Sequence, residues 1–276
     1  MHPEIRPPAV AGLFYPRDPE KLNATLDRLF IEAEASLPYE CHGPSSLLGA
    51  IVPHAGYMYS GPVAAKAFSA IAPALRTRKL VALFGPAHRV PVRGMALSGA
   101  SGFETPLGVV PIDAEATASL LGLPGIEVRP DAHASEHALE VQLPFIQRLA
   151  SPPPAVLPIV VGSVRPEDVA RVIAHLVDEH DAFIIVSSDL SHYLPYEEAR
   201  IVDRSTAERI LHCHPVRPEQ ACGAYPLNGL LLFARSRNLE IELLDLRSSG
   251  DTAGPRDQVV GYGAFVLRYP QEKGRA

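Results

Sequence analysis

Apolar runs at residues 47–52, 80–84, 156–161, 183–186 and 264–267 show almost no polar alternation. A strand solvated on one face alternates, so such runs read as strands buried on both faces. Between them lie segments of helical periodicity at 62–71, 114–121, 166–177, 197–211 and 227–234. Asp18 and Pro19 supply an N-cap and a first-turn proline for a further helix through about Glu34. Strand and helix taking turns imply an α/β fold, with a central, mostly parallel sheet flanked by helices. Residues 95–112 read as a hairpin or short β insertion. The 28 prolines are dispersed, and no repeat or Gly/Ser-rich hinge divides the chain. Residues 1–276 therefore read as a single domain with a polar tail at 271–276.

A chain of 276 residues buries a substantial core without disulfide staples. Its formal charge of −6, with no basic block, argues against nucleic acid or an anionic membrane as the main partner. No apolar stretch approaches the ~18 residues of a membrane span, and the first residues lack the apolar core of a signal peptide. Cys41, Cys213 and Cys222 are odd in number and scattered, which points to a reducing compartment, the cytoplasm.

Three of the strands are followed by histidine. Residues 47–52 run into Pro53-His54-Ala55-Gly56-Tyr57, residues 80–84 into Gly85-Pro86-Ala87-His88, and residues 183–186 into Ser187-Ser188-Asp189-Leu190-Ser191-His192-Tyr193. Ligands of open α/β sheets bind outside the carboxyl ends of the strands. One histidine there is an ordinary turn residue; three in equivalent places point to a shared site. Neutral imidazoles suit a transition metal such as Zn, Fe or Cu. Cys222, just ahead of the helix at 227–234, reads either as a thiolate-prone ligand at a helix N-terminus or as a small buried apolar residue. Cys41 and Cys213 have no such setting and read as inert.

Two other patterns point elsewhere. His133-Ala134-Ser135-Glu136-His137 matches an H-x-x-E-H peptidase signature, which needs both histidines on one helical face. Asp131 and Ser135 read as helix-start residues, leaving His133 in the preceding loop. Ser187-Ser188-Asp189 lacks the G-x-S-x-G elbow of a serine hydrolase. His175, His180, His212 and His214 read as solvated surface residues.

Taken together the motifs resemble the Memo family, the protein B component of the AmmeMemoRadiSam grouping. The matching elements are Ala9-Val10-Ala11-Gly12-Leu13-Phe14-Tyr15-Pro16, Val52-Pro53-His54-Ala55-Gly56-Tyr57, Gly85-Pro86-Ala87-His88, Glu104-Thr105-Pro106-Leu107-Gly108, Glu136-His137-Ala138-Leu139-Glu140-Val141-Gln142-Leu143-Pro144-Phe145, Ser187-Ser188-Asp189-Leu190-Ser191-His192-Tyr193 and Cys222-Gly223. They stand in family order across nearly the whole chain. The resemblance implies a fold similar to the class III extradiol (LigB-like) non-haem iron dioxygenases. By that likeness His54 and His88 match the metal-binding histidines, and His192 matches the pocket acid/base. Cys222 stands where the dioxygenases place a carboxylate ligand. A thiolate is softer, so Fe(II) is the first expectation and Cu or Zn the next, and catechol ring cleavage is not implied.

Two function classes follow. One is a metal-dependent redox enzyme acting on an unknown small molecule or peptide, with a functional link to radical-SAM components. The other is a non-catalytic binding module that uses the same cleft for a peptide or anionic ligand. In either, Asp189 is expected to orient His192, and His137, Tyr57 and Glu136 to lie beside the ligands or the substrate. Residues 136–145 are expected to form a helix whose first turn borders the cleft.

Overall fold

The computed structural model describes residues 4–35 and 46–270. Cys41 and the tail at 271–276 lie outside the described residues. A nine-stranded sheet forms the centre, in the order His192–Leu194, Val259–Arg268, Leu47–Val52, Phe183–Ser187, Leu80–Pro86, Ala155–Val161, Met95–Leu97 and Ile126–Val128. Glu240–Ser248 also pairs with Val259–Arg268. The four strands from Leu47–Val52 to Ala155–Val161 are mutually parallel.

The sheet as a whole is mixed rather than mostly parallel, because both flanks turn antiparallel. Val259–Arg268 runs against Leu47–Val52, and Met95–Leu97 runs against Ala155–Val161. Connection length accounts for two of the reversals: Val259–Arg268 turns back along Glu240–Ser248, and Met95–Leu97 runs opposite to Leu80–Pro86, the strand before it. Parallel neighbours need a crossover of about a dozen residues or more, usually helical. The links at 87–94 and 249–258 hold no such helix; the second contains only a single 3-10 turn, Ser249–Asp251.

The absence of polar alternation has a direct structural cause. Ala50, Val52, Val81, Leu83, Phe183 and Ile185 pack into one core beneath the helices Pro19–Glu34 and Tyr57–Leu75. Their neighbours Ile51, Ala82, Phe84, Ile184 and Val186 pack into a second core beneath Pro166–His180 and Ala224–Ser236. Successive side chains of a strand face opposite ways, so both sets must be apolar. Each helix lies where its pattern put it, with shifted ends. Asp18 Oδ1 accepts the N–H of Lys21 at 2.9 Å as the N-cap. The helix containing Pro62 begins earlier, at Tyr57, whose N–H is taken by Phe14 O at 2.8 Å. Residues 95–112 divide as a short strand of the main sheet and a hairpin, Gly102–Thr105 with Gly108–Pro111, joined by Ile5–Arg6 in a small second sheet.

The expected helix at 136–145 starts later: a 3-10 turn at Glu140–Gln142 leads into Leu143–Leu149, and residues 136–139 are irregular. The backbone there is claimed by side chains. Glu136 Oε1 accepts the N–H groups of His137 (2.9 Å) and Ala138 (3.0 Å), and Ser187 Oγ donates to Ala138 O (2.7 Å). His133, expected in a loop, lies in the one-turn helix Pro130–Ala134, buried with Nε2 on Ala96 O at 2.8 Å. His133 is thus directed away from His137, which ends the peptidase reading.

The N-terminal segment is held by one buried carboxylate. Glu140 accepts from Arg6 Nη1 (2.7 Å), Ala9 N (2.8 Å), Val10 N (3.0 Å) and the Tyr15 hydroxyl (2.6 Å). Glu140 is fully buried and Arg6 nearly so. Removing one partner of a buried pair strands the other charge, at a cost of about 3–5 kcal/mol. Glu140→Ala is therefore expected to lower the unfolding free energy by about that amount in urea titration. A loss within ~0.5 kcal/mol, as for an ordinary surface change, would show that the tie carries no stability.

Candidate metal centre

The three strands that deliver histidines are adjacent in the sheet, and their carboxyl ends lie along one edge. His54 and His88 meet there with ring centroids 5.2 Å apart. The Cys222 loop closes over them, with Sγ 3.3 Å from His54 Nε2. One ligand atom from each of His54, His88 and Cys222 lies within 4.8 Å of the others. Bonds of about 2.0–2.3 Å from nitrogen and sulfur to a central ion place such atoms roughly 3–4 Å apart, so the trio fits a transition metal after small adjustments.

The approach of Cys222 depends on its neighbour. Gly223 donates its N–H to Ser188 Oγ at 3.0 Å, and a Cβ on Gly223 would stand 2.6 Å from Ser188 Cβ. Only glycine lets the loop lie this close to the segment at 187–189. Cys222 itself donates its N–H to Asp189 O at 3.3 Å.

Each histidine is oriented through its other nitrogen. His88 Nδ1 lies 2.9 Å from Glu136 Oε1, and the His88 N–H donates to Glu136 Oε2 at 2.7 Å. Nδ1–H of His88 therefore faces the carboxylate and leaves Nε2 for the cleft. His54 Nδ1 lies 2.9 Å from Ser187 Oγ. His88, Glu136 and His137 also form a compact group of potential donors. Glu136, however, already receives the His88 ring and three backbone N–H groups, so it serves to orient His88.

The opposite wall carries His192. Its Nδ1 lies 2.8 Å from Leu190 O, and a carbonyl only accepts, so Nδ1 holds the proton and Nε2 is free. Asp189 does not orient this ring as expected: its Oδ1 accepts the backbone N–H of His54 at 2.7 Å. His137 lines the same cleft, against Phe14 at 4.7 Å and His88 at 4.8 Å between centroids. Tyr57 is not part of the cleft; its hydroxyl donates to Val141 O at 2.7 Å in the core. Tyr59 lines the cleft instead, because two positions along a helix are nearly opposite faces. The cleft holds about 970 Å³, with Tyr193, Glu219, Gln258 and Tyr262 among its further lining residues.

Burial governs protonation here. Desolvation, aided by the neighbouring His88, pushes His54 down to about 3. Desolvation likewise lowers His137 to about 4 and, away from the cleft, His133 to about 4. Burial pushes the Glu136 carboxyl up, but hydrogen bonding and charge from His88 outweigh it and hold it at about 2. Of the two readings open for Cys222, a thiolate-prone ligand or a small buried apolar residue, the thiolate is not the form this pocket favours by itself. Burial and the nearby Asp189 push the thiol up to about 12, and Sγ lies 3.3 Å from His54 Nε2 and 3.7 Å from Asp189 O. The remaining cysteine and histidine readings divide. Cys213 is half-buried and unpaired, and His212 and His214 are exposed. His175 and His180 are half-buried, each with Nε2 about 3 Å from Ser119 Oγ.

An α/β sheet with a two-histidine, one-cysteine cluster at its carboxyl edge defines a candidate metalloprotein. The family model described as Memo-like protein matches residues 6–266. A MEMO1 family protein of Aquifex aeolicus is 38% identical, with the match covering 95% of this chain and 99% of the relative. Those of Methanopyrus kandleri and Ignicoccus hospitalis are 34% and 35% identical, over 95% and 96% of this chain and 99% of each relative. The chain belongs to the Memo family. No helix among the described residues is long and apolar enough to cross a membrane.

The lowered histidines have a consequence for acid stability. The unfolded chain takes up protons below pH ~6.5, whereas folded His133 resists until about 4. Stability therefore falls as pH drops through that window, by up to about 1.4 kcal/mol per unit for each such histidine. Urea midpoints measured from pH 7 to 4.5 should decline, and His133→Gln should flatten the decline. An unchanged slope in the variant would mean that His133 is protonated in the fold.

Proposed function

We propose that this chain is a metal-dependent redox protein whose ion is held by His54, His88 and Cys222, with Fe(II) the first candidate and Cu or Zn its competitors. The observation that carries the reading is the convergence of these three donors at one edge of the sheet. Two imidazoles and a thiolate match the preferences of all three metals. Iron or copper held there would supply electron transfer as well as Lewis acidity, whereas zinc would supply Lewis acidity alone. The chain's own part is to hold the donors, to exclude water with Phe14, Tyr59 and Tyr262, and to present His192 Nε2 for proton transfer. The substrate is a small molecule or peptide that fits the cleft, and the setting is the cytoplasm, in functional association with radical-SAM components.

The resemblance to extradiol dioxygenases supports a similar cleft, but a thiol in place of the carboxylate ligand sets the chemistry apart. The binding-module reading has less support. An anion-binding cleft needs cationic groups, whereas burial keeps His54 and His137 neutral, and Asp189 and Glu219 face the same space.

Anaerobic purification followed by elemental analysis tests the proposal. Near-stoichiometric metal is expected in the parent protein, with sharp losses in His54→Ala, His88→Ala and Cys222→Ser. His192→Ala should retain the metal. Because the free thiol is protonated at neutral pH, metal uptake should release a proton, and apparent affinity should rise about tenfold per pH unit between pH 7 and 8. Calorimetry in buffers of different ionisation enthalpy would count that proton. A protein without metal, indifferent to added Fe(II), Cu(I) and Zn(II), would overturn the reading.

A further inference from the structure

The hydrogen bonds behind His54 form a closed chain with only one consistent arrangement of protons. Gln142 Nε2 donates to Pro53 O at 3.0 Å and to Ser187 Oγ at 2.9 Å. Pro53 O only accepts, so the Gln142 amide cannot be turned over without setting two oxygens against each other. Ser187 Oγ lies 2.7 Å from Ala138 O, another pure acceptor, so its single proton goes there. The hydroxyl is then left with two lone pairs. One receives Gln142 Nε2–H, and the other faces His54 Nδ1 at 2.9 Å. That nitrogen must carry a proton.

We infer that Ser187 and Gln142 are positioning residues that lock His54 as the Nδ1–H tautomer and so aim a bare Nε2 lone pair at Cys222 and the metal position. The Nε2 atom in question is the one 3.3 Å from Cys222 Sγ. The opposite tautomer would place N–H where a ligand lone pair is required.

The chain is isolated from solvent. Gln142 and Ser187 are fully buried, and His54 is 2% exposed. Water therefore does not substitute for a missing partner. Gln142 Oε1 has no hydrogen-bond partner among the described residues. A buried orphaned acceptor costs stability, and the amide keeps this orientation despite that cost. The two ligand histidines are thus oriented by different chemistry: His88 by a carboxylate and His54 by a neutral hydroxyl. The residues also tie the site together in sequence. Gln142 and Ala138 belong to the segment that carries Glu136, and Ser187 ends the strand that leads to Asp189 and His192.

The inference rests on the reading of His54 as a ligand, but its first test needs no metal. In metal-free protein with 15N-labelled histidine, long-range 15N–1H spectra report which ring nitrogen carries the proton, and His54→Ala assigns the signal. The proton is expected on Nδ1 in the parent chain. Ser187→Ala should let the Nε2–H form appear and lower Zn(II) affinity by about 10–100-fold in chelator competition. Ser187→Thr, which keeps the hydroxyl, should restore the Nδ1–H form and most of the affinity, with circular dichroism confirming the fold of both variants. A parent protein protonated on Nε2 would overturn the inference. So would a folded Ser187→Ala with unchanged tautomer and unchanged Zn(II) affinity. If Zn(II) fails to bind the parent chain, the proposed metal function falls, and the tautomer measurement still decides the role of Ser187. Should Ser187→Ala not fold, the parent and Ser187→Thr spectra alone carry the decision.

Discussion

A single carboxylate, Glu140, fixes the relation between the N-terminal segment and the wall of the cleft. It gathers donors from Arg6, Ala9, Val10 and Tyr15, while Arg6 also donates to the carbonyls of His133 and Glu136. A charged group without solvent is tolerated only when paired and hydrogen-bonded, and Glu140 is both. The consequences reach the site. The segment that Glu140 anchors carries Phe14 against His137, and the turn that contains Glu140 carries Gln142 to Ser187. With the 136–142 backbone fixed, Glu136 is left facing His88 and Ala138 O facing Ser187.

The same desolvation shapes the chemistry of the cleft. Burial lowers His54 and His137 and raises Cys222, so in each case the neutral form is favoured. Neutral imidazoles are ready to act as ligands; a neutral thiol is not, and it needs a cation beside it to lose its proton. The pocket is therefore poised rather than charged. The one strongly stabilised anion nearby is Glu136, and its acceptor capacity is spent on orientation.

Much of this was legible in the residues. The unalternating strands revealed a sheet covered on both faces, and the histidines after three of them located the edge where the site lies. The edges of the sheet were less legible. Glu240–Ser248 carries an alternation, Glu-Ile-Glu-Leu-Leu-Asp-Leu-Arg, that breaks at Leu243-Leu244, where the pairing with Val259–Arg268 shifts register between Leu243 and Asp245. Residues 136–139 looked helical because their apolar spacing suits a helix; side-chain capture of the backbone overrode that spacing.

The local sequence by itself determined which atoms were available: imidazoles after the strands, a thiol before a helix, a glycine beside that thiol. Strand order decided that these atoms meet. His54 and His88 are separated by an intervening strand and by 34 positions in the chain, and only the parallel pairing of Leu47–Val52, Phe183–Ser187 and Leu80–Pro86 brings their rings together. Which nitrogen each ring presents was likewise beyond any motif. A tautomer is set by the partner on the far side of the ring, and Ser187 and Glu136 reach that position only through contacts distant in sequence.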